Sequence, residues 1–358
     1  MKKVFVSGCY DILHGGHVEF FSQAKAQGDY LIVCVAGEEV QFMHKRRRPF
    51  LPIEHKIHLI KSLKMVDEVV VGDDMEIGLN FKSAFLKARP QILAVTDDDK
   101  YESIKKNICA QVGAEYIKLP KILGYKQISS TELFQRLTAP AEVPVRVDFA
   151  GGWLDVPRFS RPDGFIVNCA VSPLVSLYHW PYETCAGLGG SGAHALLMAK
   201  DAVKSELANN VGWQDPVVIY ETGLCVWRSG LRPVLDIKIN PSFLQNKLAL
   251  YWTGKTHVTM ELANCKRDYD LLAKGSRIAR EAAIEKNFDK LCEAVRMTHE
   301  VQLKEGMQPL PDFGEKARKY CGGGHGGYAV YMFDDVPYNS QLIEIEPYMK
   351  NFLSDLDA

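Results

Sequence analysis

The chain has 358 residues, 47% hydrophobic and 24% charged, with a net charge of −1 at pH 7. That is material for two hydrophobic cores, so two domains are expected, and the balanced charge excludes a global basic field for nucleic acid. No run approaches the roughly 18 apolar residues of a membrane span. The opening Met1-Lys2-Lys3-Val4 lacks the apolar core of a signal peptide, and the nine cysteines include no CxxC pair. Reduced thiols and a cytoplasmic protein are the expectation.

The first half alternates apolar runs with amphipathic ones. A β-rich run over 4–6 meets a glycine turn, then His14 and His17, then a helical pattern carried by Val18, Phe20, Phe21 and Ala24. Strand, tight turn and helix set backbone N–H groups and a helix N-terminus before a phosphate. Gly15 and Gly16 allow close approach of the main chain, and both histidines can donate to phosphate oxygens. Strands are expected over 31–35, 68–71 and 91–95, with helices over 54–63 and 81–88 between them. Nearly all-apolar strands alternating with helices predict an α/β domain with a parallel sheet covered on both faces, its ligands at the carboxyl ends. The polar stretch Lys45-Arg46-Arg47-Arg48 is either a solvated loop or a phosphate contact at that edge. Thr96-Asp97-Asp98-Asp99 is either a ligand-facing loop or a solvated turn. Ser129-Ser130-Thr131-Glu132 carries a helix-capping signal.

The stretch 8–17, GCYDILHGGH, resembles the GxFDxxHxGH signature of the cytidylyltransferase-like nucleotidyltransferases. Ile128-Ser129-Ser130-Thr131 is similar to that family's phosphate-binding IST(T/S) motif, and the resemblance covers about residues 2–137. It implies a Rossmann-like fold with His14 and His17 stabilising the transition state at the α-phosphate. It implies that Lys45 holds the acceptor phosphate or the triphosphate. Gly8, Tyr10, Asp11, Gly16, Asp97, Ser129, Ser130 and Thr131 would bind the nucleotide, with Mg²⁺ on its phosphates. Lys126 is a candidate for the basic residue that precedes the last motif. Glu54-His55-Lys56 stands where relatives carry an arginine, which this chain lacks.

A stiff Pro/Ala linker is expected over 138–144. Beyond it, 145–149 alternates as a half-buried strand and runs into Ala150-Gly151-Gly152-Trp153-Leu154-Asp155. A hairpin is expected over 168–179. Gly187-Leu188-Gly189-Gly190-Ser191-Gly192 precedes a helical run over 195–207, another glycine cradle for phosphate. Gly212-Trp213-Gln214-Asp215 follows, and Cys321 to Gly327 precedes a strand over 328–333. Amphipathic helices are expected over 269–283 and 288–303, with His299 a satisfied core or groove histidine.

These four elements, in this order, resemble the GHMP sugar kinases, especially the fucokinase and glycero-manno-heptose kinase branch, over roughly 143–335. The resemblance implies an α+β kinase domain over 145–358. Gly187 to Gly192 would form the ATP phosphate loop, with Ser191 and Glu206 on Mg²⁺. Asp215 would orient or deprotonate the attacking hydroxyl, with Arg146 near the transferred phosphate. Asp155 and Gly152 would bind the sugar, and Gly323, Gly324 and Gly326 would close over it. The loop carries one serine where relatives have two or three, and His257 stands where they have arginine.

Together the two resemblances imply a bifunctional transferase. A sugar would be phosphorylated at its anomeric hydroxyl by ATP, and its 1-phosphate then joined to a nucleotide from CTP or ATP. The alternative keeps only nucleotidyl transfer, with the second domain a sugar-binding or dimerisation module. Partners would be sugars, sugar phosphates and nucleoside triphosphates, with no nucleic acid and no membrane, in a possible homo-oligomer.

Overall fold

The apolar run that opens the chain becomes β1 (Lys3–Gly8), the central strand of a five-stranded sheet. The structure is a computed structural model that describes residues 1–46, 48–121, 128–256, 262 and 265–350. The chain divides into two units, Met1–Leu137 and Thr138–Ala358.

In the first unit, β1 is followed by α1 (Gly15–Lys25), β2 (Tyr30–Ala36), α2 (Glu38–Lys45), α3 (Ile53–Lys61) and β3 (Glu68–Gly72). Then come α4 (Lys82–Ala88), β4 (Ile92–Thr96), α5 (Glu102–Val112), β5 (Glu115–Leu119) and α6 (Ser130–Thr138). The strands lie in the order β3-β2-β1-β4-β5, all parallel. Alternate residues of β1 feed opposite faces. Val4 and Val6 pack with Phe21, Leu31, Val33 and Ile60. Phe5 packs on the other face against Phe81 and Phe85, at ring distances of 5.8 and 5.3 Å. Strand order reverses between β1 and β4, the place where such sheets open a crevice at their carboxyl ends.

Two features depart from expectation. The polar stretch around residue 45 is partly helical, and Lys45 is the exposed last residue of α2. The helix α5 and the fifth strand, β5, lie outside the expected elements; β5, Glu-Tyr-Ile-Lys-Leu, is an edge strand whose exposed Glu115 and Lys118 dilute its apolar signal.

The second unit runs β6 (Glu142–Ala150), a 3₁₀ turn (Pro157–Phe159), β7 (Phe165–Ser176), α7 (Gly190–Leu197), α8 (Ala202–Ala208) and α9 (Gln214–Glu221). It continues with β8 (Leu224–Arg228), β9 (Val234–Ile239), β10 (Leu248–Trp252), α10 (Tyr269–Glu285), α11 (Phe288–Lys304), β11 (Ala317–Tyr320), β12 (Tyr328–Met332) and β13 (Leu342–Pro347). Its antiparallel sheet has the order β11-β12-β10-β13-β7-β8-β9, with β6 paired to β7. The core joins Val145, Val147 and Phe149 of β6 to Leu188 and Trp213 and to Ala279, Ala282, Leu291 and Val295 of the two long helices. Small residues at the helix face let it approach the sheet closely.

The linker is shorter than 138–144, because β6 begins at Glu142 and pairs with Ser176. The hairpin expected over 168–179 is instead one long strand, β7. The helical run over 195–207 is broken into α7 and α8, where Asp201 accepts the Lys204 N–H at 3.0 Å and starts a new helix. His299 is half-buried on α11, and burial pushes its pKa down to about 4, aided by Arg318 and Lys319. Among the described residues its Nε2 has no hydrogen-bond partner, so there it packs as a neutral side chain without being satisfied. Lys126 and His257 lie outside the described residues. None of the nine cysteines forms a disulfide. Among the described residues no helix is long and apolar enough to cross a membrane.

Candidate functional sites

The first site grows from the turn after β1. Tyr10 takes a left-handed conformation, φ +44°, which swings its ring edge-on against His17 at 5.2 Å and Phe21 at 5.0 Å. Gly8 allows this: a Cβ there would meet the Tyr10 ring at 2.7 Å. His14 then caps α1, its Nδ1 accepting the Gly16 N–H at 3.2 Å. That contact assigns the His14 proton to Nε2, leaving a donor there. The His14 and His17 rings lie 3.8 Å apart, tilted by 32°. Burial pushes the His17 pKa down to about 3, with His14 adding to the effect, and burial lowers that of His14 as well. Both rings are therefore neutral near pH 7.

The histidines line a cavity of about 570 Å³ together with Ser7, Tyr10, Gly16, Thr96, Ser129 and Ser130. The N-terminus of α6 reaches the same cavity: Ser129 Oγ accepts the Glu132 N–H at 3.0 Å, and Ser130 Oγ donates to the Ile12 carbonyl at 3.3 Å. Two helix N-termini and a neutral donor pair thus share one hollow, an arrangement suited to polyphosphate. Phe20, Val95, Pro120 and Ile128 supply apolar wall. The acidic run divides its work. Asp98 bonds Lys121 at 2.6 Å and the Thr96 hydroxyl at 2.7 Å, and these contacts hold its carboxyl below the usual range. Asp99 bonds Lys105 at 2.7 Å and Tyr116 at 2.8 Å.

Several expected residues stand elsewhere. Asp97 is off the cavity wall, its N–H donating to the Leu119 carbonyl at 3.0 Å; Asp98 and Asp99 face the cavity instead. Asp11 is buried and accepts the Phe50 N–H at 2.7 Å, tying down the segment between α2 and α3. Gly8 acts through Tyr10. Thr131 is exposed beyond the wall, and Lys45 is exposed on α2, also off the wall. Lys105 and Lys121 line the cavity but escaped the sequence reading, because α5 and β5, which place them, carry no motif.

The second site is built on β6, where Arg146 points its guanidinium between three partners. Its Nε donates to Asp215 Oδ1 at 2.7 Å, and its Nη1 donates to Asp148 Oδ1 at 3.0 Å and to the Gly187 carbonyl at 2.7 Å. Burial disfavours the Arg146 charge, but Asp215 and Asp148 outweigh it and hold its pKa above the ordinary value. Gly189 has φ +76°, and a Cβ there would sit 3.1 Å from Arg146 and 3.2 Å from Asp215. Only glycine takes this turn so near the pair. Arg146, Gly187, Gly189, Gly190, Ser191, Asp155, Glu206, Asp215 and Gly323 line one cavity of about 370 Å³.

Burial pushes Glu206 up to about 7, with Asp215 adding and a hydrogen bond to Ser191 opposing. A hydroxyl and two carboxylates at the N-terminus of α7 make a hard oxygen set that fits Mg²⁺, which takes few protein ligands and shares the rest with phosphates. Among the described residues no group of three or more His, Cys, Asp and Glu side chains forms a cage for a metal. Asp155 is also pushed up to about 7, chiefly by burial. It accepts the Gln214 N–H and the Gln214 side-chain amide, both at 3.1 Å, and so braces the turn that carries Asp215.

Leu188 is fully buried in the core, and Gly192 packs on Pro216; neither faces the cavity. Gly152 lies behind it near Asp148, while Gly324 packs near Met307 and Gly326 near the Lys255 carbonyl. Gly322, Trp153, Cys185 and Gln214 also line the wall; Trp153 and Gln214 fall within the recognised motifs, but none of the four was expected as a site residue.

Comparison with known proteins bears on each half separately. The family model described as cytidylyltransferase-like matches residues 5–136. An FAD synthase of Thermococcus onnurineus is 35% identical over 138 residues, covering 38% of this chain and 90% of that protein. A mevalonate kinase of Methanococcus jannaschii is similar at 13% identity and TM-score 0.43, covering 59% of this chain and 98% of that one. A D-glycero-D-manno-heptose 1-phosphate kinase from Bacteriodes thetaiotaomicron is similar at 12% identity and TM-score 0.40, covering 57% and 95%.

Proposed function

Because residues 5–136 make this chain a member of the cytidylyltransferase-like family, we propose that its first domain transfers a nucleotidyl group from a nucleoside triphosphate to a phosphate monoester. One observation carries the proposal: the neutral His14–His17 pair lies in the same cavity as the N-terminus of α6. An acceptor phosphate oxygen attacks the α-phosphorus; the bond to the bridging oxygen breaks and pyrophosphate leaves. His14 and His17 donate to the α-phosphate oxygens as charge builds there, while Ser129, Ser130 and the α6 N-terminus hold the departing phosphates. Mg²⁺ supplies charge neutralisation on the triphosphate when bound.

The second domain, on this proposal, is an ATP-dependent sugar kinase. Asp215 takes the proton of the attacking hydroxyl, Arg146 neutralises the transferred phosphoryl group, and the turn at 187–191 cradles the phosphates. Ser191, Glu206 and Asp215 would hold Mg²⁺. The acceptor is a heptose or fucose-like sugar, and its 1-phosphate is the acceptor of the first domain. The relatives named FAD synthase favour a second acceptor for that domain, a flavin phosphate taking an adenylyl group.

Pyrophosphate release from ATP, CTP and GTP, measured against sugar 1-phosphates and flavin mononucleotide, separates the acceptors. His14→Ala and His17→Ala should each lower the rate at least 100-fold. Release without any acceptor preference, or full activity in both variants, would sink the assignment.

A further inference from the structure

Lys319 is the one lysine of the second domain, among the described residues, that is fully buried. It sits on β11, three residues before Gly322, which with Gly323 brings the glycine turn to the cavity. Its Nζ bonds the Asp148 carboxylate at Oδ2 and donates to the Asp148 backbone carbonyl at 2.9 Å. Asp148 Oδ1 in turn accepts the Gly322 N–H at 3.0 Å and Arg146 Nη1 at 3.0 Å. Arg146 then reaches Asp215 through Nε at 2.7 Å and Nη2 at 2.6 Å. Four charges of alternating sign, Lys319, Asp148, Arg146 and Asp215, therefore form one chain from β11 to the cavity. Lys319 and Asp148 are absent from the cavity wall, so neither touches a substrate there.

The order of the charges matters. Arg146 must serve two carboxylates and the Gly187 carbonyl with one guanidinium. A buried carboxylate demands a full counter-charge. Lys319 meets that demand at Asp148 from the far side and so leaves Arg146 for Asp215 and the phosphate loop. The same Asp148 oxygen fixes the Gly322 N–H, which registers the C-terminal glycine turn against the Arg146–Asp215 pair.

We propose that Lys319 is a positioning residue for the kinase site: by neutralising Asp148 it holds Arg146 on Asp215 and sets the glycine turn at Gly322. The proposal rests on the kinase reading of the second domain. Methionine at 319 would keep the length and remove the charge. Asp148 would then draw Arg146 away from Asp215 and from Gly187.

The test uses the full chain and steady-state phosphoryl transfer from ATP to the sugar that wild type accepts. In Lys319→Met, kcat should fall by on the order of tenfold or more, the range seen when a supporting residue behind a site is lost. KM for ATP should move less than about threefold, since Arg146 leaves only a carbonyl of the phosphate loop and not the N–H groups that meet the phosphates. Lys319→Arg keeps the charge and should recover most of kcat. The decisive arm is Lys319→Met with Asp148→Asn: removing the second charge frees Arg146, so kcat should rise above that of the single variant. Nucleotidyl transfer by the first domain should not change, and tryptophan fluorescence reports folding of the second, because all five tryptophans lie there. Should Lys319→Met fail to fold, the arginine and double variants are read against wild type: both should stay within about tenfold of its kcat, and a larger loss in a folded Lys319→Arg overturns the positioning role. Unchanged kcat in Lys319→Met, or a double variant slower than the single one, overturns the positioning role while leaving the kinase reading intact. A wild-type protein that phosphorylates no sugar overturns both.

Discussion

The depressed basicity of His17 makes a prediction about stability. Burial lowers its pKa from the ordinary 6.5 to about 3 in the folded protein. The unfolded chain therefore binds a proton below pH 6.5 that the folded chain refuses. A histidine with a lowered folded pKa costs nothing above 6.5 and destabilises progressively as pH falls toward 3. Each pH unit across that window costs about 1.4 kcal/mol, so going from pH 7 to pH 5 should remove about 2 kcal/mol from the first domain through this group. His17→Gln keeps a polar side chain without the titration. Urea unfolding of the full chain at pH 7 and pH 5 measures the difference. Tryptophan fluorescence follows the second domain alone, since the five tryptophans begin at Trp153. Far-UV circular dichroism, less that transition, follows the first. The loss on acidification should be smaller in His17→Gln by about 2 kcal/mol. Equal losses in wild type and variant would refute a buried neutral His17.

Other expectations follow from single contacts. Gly8→Ala would push a Cβ into the Tyr10 ring at 2.7 Å; overpacking there should cost about 1–3 kcal/mol of first-domain stability and slow nucleotidyl transfer through His17. Ser129→Ala removes the cap on the Glu132 N–H, which should cost about 1 kcal/mol and weaken triphosphate binding, read by calorimetry. Asp215→Asn should lower phosphoryl transfer to a sugar by about 10²–10⁴-fold, the range for a lost general base, and leave pyrophosphate release unchanged. Asp155, raised to about 7 by burial, keeps its proton longer when folded. It should cost the second domain about 1 kcal/mol as pH rises from 6 to 8, a loss absent in Asp155→Asn by fluorescence-monitored unfolding.

Much of the first site was legible because its chemistry is contiguous. His14, Gly16 and His17 lie within one turn of helix, and Ser129 and Ser130 announce themselves by capping. What escaped was placement by the wall opposite. The charged side chains Lys105 and Lys121 come from elements whose edge position blurs their pattern. Asp97 was preferred to Asp98 and Asp99, because residue type cannot tell which of three neighbours a turn directs inward. In the second domain the glycine turns and Asp215 were visible, yet their support was not. Lys319 and Asp148 are 171 residues apart and meet only through the sheet. The break between α7 and α8, which puts Glu206 beside Ser191, depends on the cap at Asp201, a local competition that the apolar run conceals.

The central claim is that one chain carries two successive transfers. The direct measurement is mass spectrometry of the products when the pure protein meets Mg²⁺, a free sugar from a panel of heptoses and deoxyhexoses, ATP and CTP. Conversion of a free sugar to its nucleotide derivative in wild type, and accumulation of nothing but unreacted sugar in Asp215→Asn, is the predicted result. If the free sugar stays unconverted in wild type as in Asp215→Asn, while added sugar 1-phosphate is converted by both, the second domain makes no phosphate and the claim fails.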